Sequence, residues 1–127
     1  MEFFVSPMPS NSMQYLNFEF NPAGAMYLSI GTNRNDRTVI SPPNYTELFH
    51  VTTSIHDKGW NLEFNIPLSF LQRFFPELEL TQGCGMRGNF YKCGDDTAHP
   101  HYGCWSLIDL PQPDFHCPDF FGHLILE

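Results

Sequence analysis

The sequence predicts an all-β protein: an antiparallel two-sheet β-sandwich, immunoglobulin-like or jelly-roll-like, with one short helix near residues 68–75. Three observations predict it. Thirteen Phe, eleven Pro and nine Gly in 127 residues favour short strands and tight turns over long helices. Apolar residues alternate with polar ones at Leu16, Phe18 and Phe20, and again at Trp60, Leu62, Phe64 and Ile66, the period of a half-buried strand. Turn clusters separate these runs. At 42% hydrophobic, the chain has enough apolar material for one core, and residues 1–127 read as a single domain.

Taken in order, Glu2 to Ser6 is a strand stopped by Pro7 and Pro9, and residues 7–13 are a turn. In Gln14 to Phe20, Leu16, Phe18 and Phe20 face inward, while Tyr15, Asn17 and Glu19 face outward. Asn21, Pro22, Ala23 and Gly24 turn the chain into a returning strand, Ala25 to Ile30. Gly31 to Tyr45 is polar and reads as a long loop, and Leu48 to Ile55 as a strand. His56 to Gly59 is a turn, and Trp60 to Ile66 the next strand. Pro67 opens a short helix from Leu68 to Phe75, with Phe70/Phe74 and Leu71/Phe75 as i,i+4 pairs, and Pro76 ends it. Met86 to Tyr91 alternates as a strand. Residues 106–121 carry Pro111, Pro113 and Pro118 and read as an extended, wrapping segment anchored by Phe115, Phe120 and Phe121. His123 to Leu126 is a final strand.

A net charge of −8 with six Lys and Arg argues against nucleic acid and anionic membrane surfaces as partners. No run of about 18 apolar residues is present, so no membrane span is expected. The start, Met1 to Pro7, lacks the basic and long apolar regions of a signal peptide, and localisation is left unknown. Cys84, Cys93, Cys104 and Cys117 include no CxxC pair, which disfavours a zinc finger or a thioredoxin-like redox site. Two disulfides, in any of three pairings, and free buried thiols both remain open.

Functional groups concentrate between Met86 and Trp105. Arg87, Asn89 and Tyr91 lie in a row on one strand face, opposite Met86, Gly88 and Phe90. A cation, an amide and a phenol near aromatic rings suit a saccharide, whose hydroxyls need paired donors and acceptors and whose C–H face stacks on a ring. The competing reading is a structural network, with Arg87 paired to Glu63 or Glu19. Trp105 is a candidate stacking ring or a core residue, while Trp60 reads as core. His99 and His101, with His116 or Asp95, form a candidate transition-metal set, against hydrogen bonding within the loop or polar contacts to a ligand. Lys92 and Asp95 flank the candidate site, and His116 reaches it from the wrapping segment. No catalytic triad or activated thiol is evident, so the domain is expected not to be an enzyme.

Several stretches resemble the carbohydrate-binding module family 9-like domains, relatives of the DOMON-like β-sandwich group. They are Glu2 to Pro7, Tyr15 to Asn21, Gly59 to Pro67, Arg87 to Asp95, Pro100 to Trp105 and Pro113 to Gly122. The resemblance implies a two-sheet sandwich and a non-catalytic carbohydrate-binding role, with carbohydrate as the partner, and its pattern at Arg87 and Asn89 favours the binding reading there. Together with the residues singled out by their own chemistry, the candidate ligand-binding set is Arg87, Asn89, Tyr91, Lys92, Asp95, His99, His101, Trp105 and His116. The resemblance leaves room for a structural calcium on loop carboxylates such as Asp95, Asp96, Asp109 and Asp114, although their spacing matches no dedicated calcium loop. It also implies strands ahead of Glu2, so the chain reads as N-terminally truncated, with an exposed sheet edge open to a partner or to homo-oligomerisation. The alternatives carried alongside are a structural or protein-interaction sandwich and a haem- or metal-binding domain using Met86 with His99 or His101. An extracellular or cell-surface setting, and a bacterial polysaccharide-using context, are suggested by the resemblance alone.

Overall fold

The computed structural model describes residues 1–112 and 114–127; Pro113, one of the prolines assigned to the wrapping segment, lies outside them. The described residues form two antiparallel sheets. The larger has seven strands in the order β4-β3-β2-β1-β7-β8, with β9 also paired to β7; the smaller is the hairpin β5-β6. The strands are β1 (Glu2–Ser6), β2 (Tyr15–Phe20), β3 (Met26–Asn33), β4 (Asp36–Val39), β5 (Thr52–His56), β6 (Gly59–Glu63), β7 (Gly85–Gly94), β8 (His101–Cys104) and β9 (Gly122–Ile125). Two single-turn helices, α1 (Tyr45–Leu48) and α2 (Leu68–Leu71), close the main core. The all-β, two-sheet sandwich expected from the alternation is present.

The ten residues of β7 organise the sheet. One edge runs along β1, from Glu2 opposite Tyr91 to Ser6 opposite Arg87. The other edge is divided: Gly85 to Gly88 pair with β9, and Tyr91 to Gly94 pair with β8. Gly88 is required where β7 meets β1, because a Cβ there would sit 2.6 Å from the Phe4 carbonyl oxygen.

The central strands β1, β2 and β7 divide their side chains between two cores. Val5, Leu16, Phe18, Phe20, Leu28 and Ile30 face the main core. Phe49, Phe70, Leu71, Phe75 and Leu78 close it, and Trp60, Leu62 and Phe64 of the hairpin region pack against it. Phe18 meets Phe49 edge-to-face at 5.5 Å, and Phe49 meets Phe70 at 4.9 Å. Fully buried rings of this size contribute about 1.5–3 kcal/mol each. The opposite face carries a second core of Phe4, Tyr15, Tyr91 and Phe121, closed by Ile108 and Phe115 of the wrapping segment.

Several boundaries differ from the sequence expectation. The stretch read as a loop from Gly31 contains the end of β3, all of β4 and the start of α1. The strand expected from Leu48 begins at Thr52, because residues 45–48 coil into α1. The helix after Pro67 is four residues long, although Phe70 and Phe74 do meet at 5.3 Å. Tyr15 and Asn17, assigned to a solvent face, are fully buried under the wrapping segment. β1 lies inside the sheet between β2 and β7; the strands at the ends of the large sheet are β4, β8 and β9.

Candidate functional site

The wrapping segment has little regular structure beyond a 3-10 turn at Pro118–Phe120, so its backbone polar groups need partners from the sheet. The row on β7 supplies them. Arg87 Nε donates to the Phe121 carbonyl at 3.0 Å, and its Nη2 donates to the Asp119 carbonyl at 3.0 Å. Asn89 is fully buried; its Nδ2 donates to the Ser106 carbonyl at 2.8 Å and its Oδ1 accepts from Ser106 N–H at 2.7 Å. The Tyr91 hydroxyl donates to the Phe115 carbonyl at 3.0 Å, and the two rings stack at 4.2 Å. Burial holds the Tyr91 phenol well above the usual tyrosine range. Arg87 therefore pairs with neither Glu63 nor Glu19. The row read as a polar platform is a rack of ties that straps residues 106–121 across the sheet.

Where the strap stops short of covering β1 and β2, a cleft of about 290 Å3 opens on this same face. Glu2, Glu19, Arg34, Arg37, Cys93, Asp95, Tyr102, Phe115 and His116 line it. Sheet register sets much of this arrangement. Glu2 lies directly opposite Glu19 on β2 and opposite Tyr91 on β7, so these side chains share a face. Cys93 lies opposite Tyr102, which brings the Tyr102 ring, half exposed, to the rim. The β3–β4 turn carries Arg34 to Asp114 on the strap, at 2.7 Å, and Arg37 across Gly31.

His116 is the junction between strap and sheet. Arg37 Nη1 lies 3.1 Å from its Nε2, and the Tyr15 hydroxyl lies 2.8 Å from its Nδ1. A guanidinium only donates, so Nε2 accepts and Nδ1 carries the proton, donating to the Tyr15 oxygen. Burial first, then the positive charges of Arg37 and Arg34, pull the His116 pKa down to about 4, so the imidazole is neutral at pH 7. Burial pushes Tyr15 up to about 12. Among the acids, burial and then the facing Glu19 push Glu2 up to about 7, and burial raises Glu19. Asn17 Nδ2 donates to Glu19 Oε1 at 2.7 Å and orients that carboxylate. The Cys93 thiol donates to Asp95 Oδ1 at 3.2 Å, which holds the Asp95 carboxyl below its usual range.

The sequence model of carbohydrate-binding family 9 matches residues 1–126, nearly the whole chain. The chain belongs to carbohydrate-binding family 9. A crystal structure from Bacteroides uniformis ATCC 8492, described as a "putative carbohydrate-binding protein", is similar to this family 9 domain, with a TM-score of 0.74 and 34% sequence identity. The match covers 99% of this chain and 60% of that one, so the family 9 domain spans three fifths of that structure's length. No curated protein sequence gives a significant match.

The nine sequence-named residues of the family 9 domain fall in different places. Asp95 and His116 line the cleft. Arg87, Asn89 and Tyr91 lie on the same face but tie down the strap. Lys92 alternates with Tyr91 and Cys93, so it points to the opposite face, which it shares with Phe90. Trp105 is also on that opposite face, 56% exposed, edge-on to Phe90 at 5.9 Å and seated over Gly122. The His101 ring lies over Gly94, with its Nδ1 2.8 Å from the His99 carbonyl oxygen, and His99 is exposed in the loop before it. His99 and His101 thus do not converge with the buried His116. Among the described residues, no three His, Cys, Asp or Glu side chains are grouped to hold a metal ion, and no disulfide links the four cysteines. Met86 packs against the main core, away from the exposed His99 and His101. Two of the cleft residues missed from sequence had one available signal: Glu2 and Glu19 alternate with core residues, as the second-core residues Phe4 and Tyr15 do, and so had to share the face opposite the main core.

Proposed function

We propose that this domain is a non-catalytic saccharide-binding module and that the cleft over β1 and β2 receives the sugar. One observation carries the reading: hydrogen-bond acceptors from Glu2, Glu19 and Asp95 face donors from Arg34 and Arg37 across a cleft with the Tyr102 ring at its rim. Each sugar hydroxyl is both donor and acceptor, so a vicinal diol bridging a carboxylate and a guanidinium satisfies both. Tyr102 offers its face to the C–H surface of a pyranose. Membership of a carbohydrate-binding family and the described role of the similar Bacteroides uniformis protein point the same way. The affinity is modest, because each protein–sugar hydrogen bond replaces one to water.

The test is isothermal titration calorimetry and thermal shift against a panel of mono- and oligosaccharides. A ligand that binds only the folded state raises the melting temperature by mass action. Tyr102→Ala is expected to weaken binding roughly tenfold, a ring contact being worth about 0.5–1.5 kcal/mol beyond its buried area. The sugar is expected to be recovered intact after long incubation. A folded protein that no saccharide shifts, or Tyr102→Ala and Glu19→Gln variants that bind like the parent, would overturn the proposal.

A further inference from the structure

The strap and the end strand β8 enclose a second cavity beside the cleft. Its volume is about 280 Å3, close to that of the cleft, and Tyr102 and Phe115 line both. Tyr102 stands at the boundary, half exposed and edge-on to Phe115 at 6.3 Å. The two cavities are therefore neighbours on one face of the sheet, and a molecule lying over Tyr102 reaches into each. Their chemistry differs. The cleft presents carboxylates and guanidinium groups. The second cavity is walled by Ile108, Leu110, Pro111 and Phe115, with polar groups from Gln112 and Asp114. Among the described residues that line it, Asp114 is the one that carries a charge; it is paired with Arg34 at 2.7 Å and accepts from the His116 N–H at 3.0 Å. Ile108 and Phe115 are already used, since they close the second core. Leu110 belongs to neither core and is 42% exposed.

We propose that this domain selects saccharides that carry an apolar substituent, with the sugar ring in the cleft and an aryl or acyl group in the cavity walled by Leu110. The inference rests on the cleft being the saccharide site and adds the ligand class to it. A polar site joined to an apolar one fits a ligand with the same division. A bare pyranose carries hydroxyls around its rim, and placing them against Ile108, Leu110 and Pro111 strips them of water without returning a hydrogen bond. A group without hydroxyls gains by leaving water for the same walls, in proportion to the apolar area it buries. The glycosidic or ester oxygen that joins the two parts crosses the Tyr102 boundary, while the sugar hydroxyls stay among the donors and acceptors of the cleft. The substituent is uncharged, as a cavity whose one charge is already paired requires.

The experiment is calorimetry with matched probes: the methyl, phenyl and O-acetylated methyl β-glycosides of glucose, galactose and mannose. A phenyl or O-acetylated glycoside is expected to bind about tenfold tighter than the plain methyl glycoside of the same sugar, as burial of one such apolar group allows. Whichever of the two gains identifies the substituent as an aromatic aglycone or an acyl ester. The gain is expected to survive high salt, since it contains no charge pair, and to bring a more negative heat-capacity change. Leu110→Gln alters a wall of the second cavity and no residue of the cleft. With an unchanged melting temperature, it is expected to bind the methyl glycosides like the parent and to lose roughly threefold or more of the gain. Substituted glycosides that bind no tighter than methyl glycosides overturn the selection and leave the cleft standing. If light scattering then shows a mass that doubles with concentration, the cavity belongs to a second copy of the chain. A gain that Leu110→Gln leaves intact, or an equal loss for every probe, overturns the selection too. Absence of binding by all the glycosides overturns both the selection and the site on which it rests.

Discussion

Asn89 uses both ends of its amide: Nδ2 donates to the Ser106 carbonyl, and Oδ1 accepts from the N–H groups of Ser106 and Phe90. Asn89→Ala removes the partner of three part-buried backbone groups, each hydrogen bond being worth about 0.5–1.5 kcal/mol. The variant is expected to lose about 2–4 kcal/mol in urea unfolding with an unchanged slope; a loss below about 0.5 kcal/mol would show that water replaces the amide. Glu2 and His116 make a paired prediction with opposite signs. Glu2 goes from 4.5 to about 7 on folding, so between those values the unfolded chain has released a proton that the folded one keeps. Stability contributed by Glu2 is thus fully present below pH 4.5 and falls as pH rises towards 7. His116 goes from 6.5 to about 4, so in that window the unfolded chain holds a proton that the folded one lacks. Its contribution is present above pH 6.5 and is lost as pH falls towards 4. The two slopes oppose each other between about pH 4.5 and 6.5. Relative to the parent, Glu2→Gln is expected to make stability rise more steeply with pH there, and His116→Gln to make it fall. Parallel pH profiles for parent and variants would refute both assignments.

The strap is the element whose behaviour differs most from the strands beneath it. It has few backbone hydrogen bonds of its own and is held by Arg87, Asn89, Tyr91 and the Arg34–Asp114 ion pair. Segments held by a few side-chain ties open before paired strands do. Tyr91→Phe keeps the stacking on Phe115 and deletes one hydrogen bond, worth about 1 kcal/mol. Strap amides around Phe115 are expected to exchange with deuterium roughly fivefold faster, while those of β2 stay at the parent rate. A uniform acceleration would mean strap and sheet open together. The strap also explains which parts were legible in the sequence. Alternation in Tyr15–Phe20 and in residues 60–66 identified the main-core face because apolar and polar residues differ in kind. It could not say whether the second face was wet. Tyr15 and Asn17 read as solvent-facing because the segment covering them lies about a hundred residues away, the Tyr15–His116 contact spanning 101 positions. β4 escaped notice because Asp36–Val39 is an edge strand with no buried residue. Arg34 and Arg37 were therefore left in a loop, and the cleft they help to line could not be assembled.

At the scale of the whole molecule, the large sheet separates two surfaces that the linear sequence mixes within twenty residues. The strap face holds the cleft; the other holds the main core and, at its margin, Phe90 and Trp105. Trp105 is more than half exposed, yet it is fixed between Phe90 and Gly122, where a Cβ at position 122 would lie 2.6 Å from the indole. Trp60 packs against the main core from the hairpin. Neither indole lines the cleft. Tryptophan emission is therefore expected to stay constant in wavelength and intensity as a saccharide saturates the domain, and Trp105→Phe to bind with the parent's affinity. Tyr102→Ala, on the cleft side, is expected to lose roughly tenfold, as a ring contact worth about 0.5–1.5 kcal/mol beyond its buried area allows. A ligand-dependent blue shift or quench that disappears in Trp105→Phe would move the sugar across the sheet to the Phe90 surface. Because the two faces share only backbone, the Tyr102 and Trp105 variants report on them independently, and their effects are expected to add when combined.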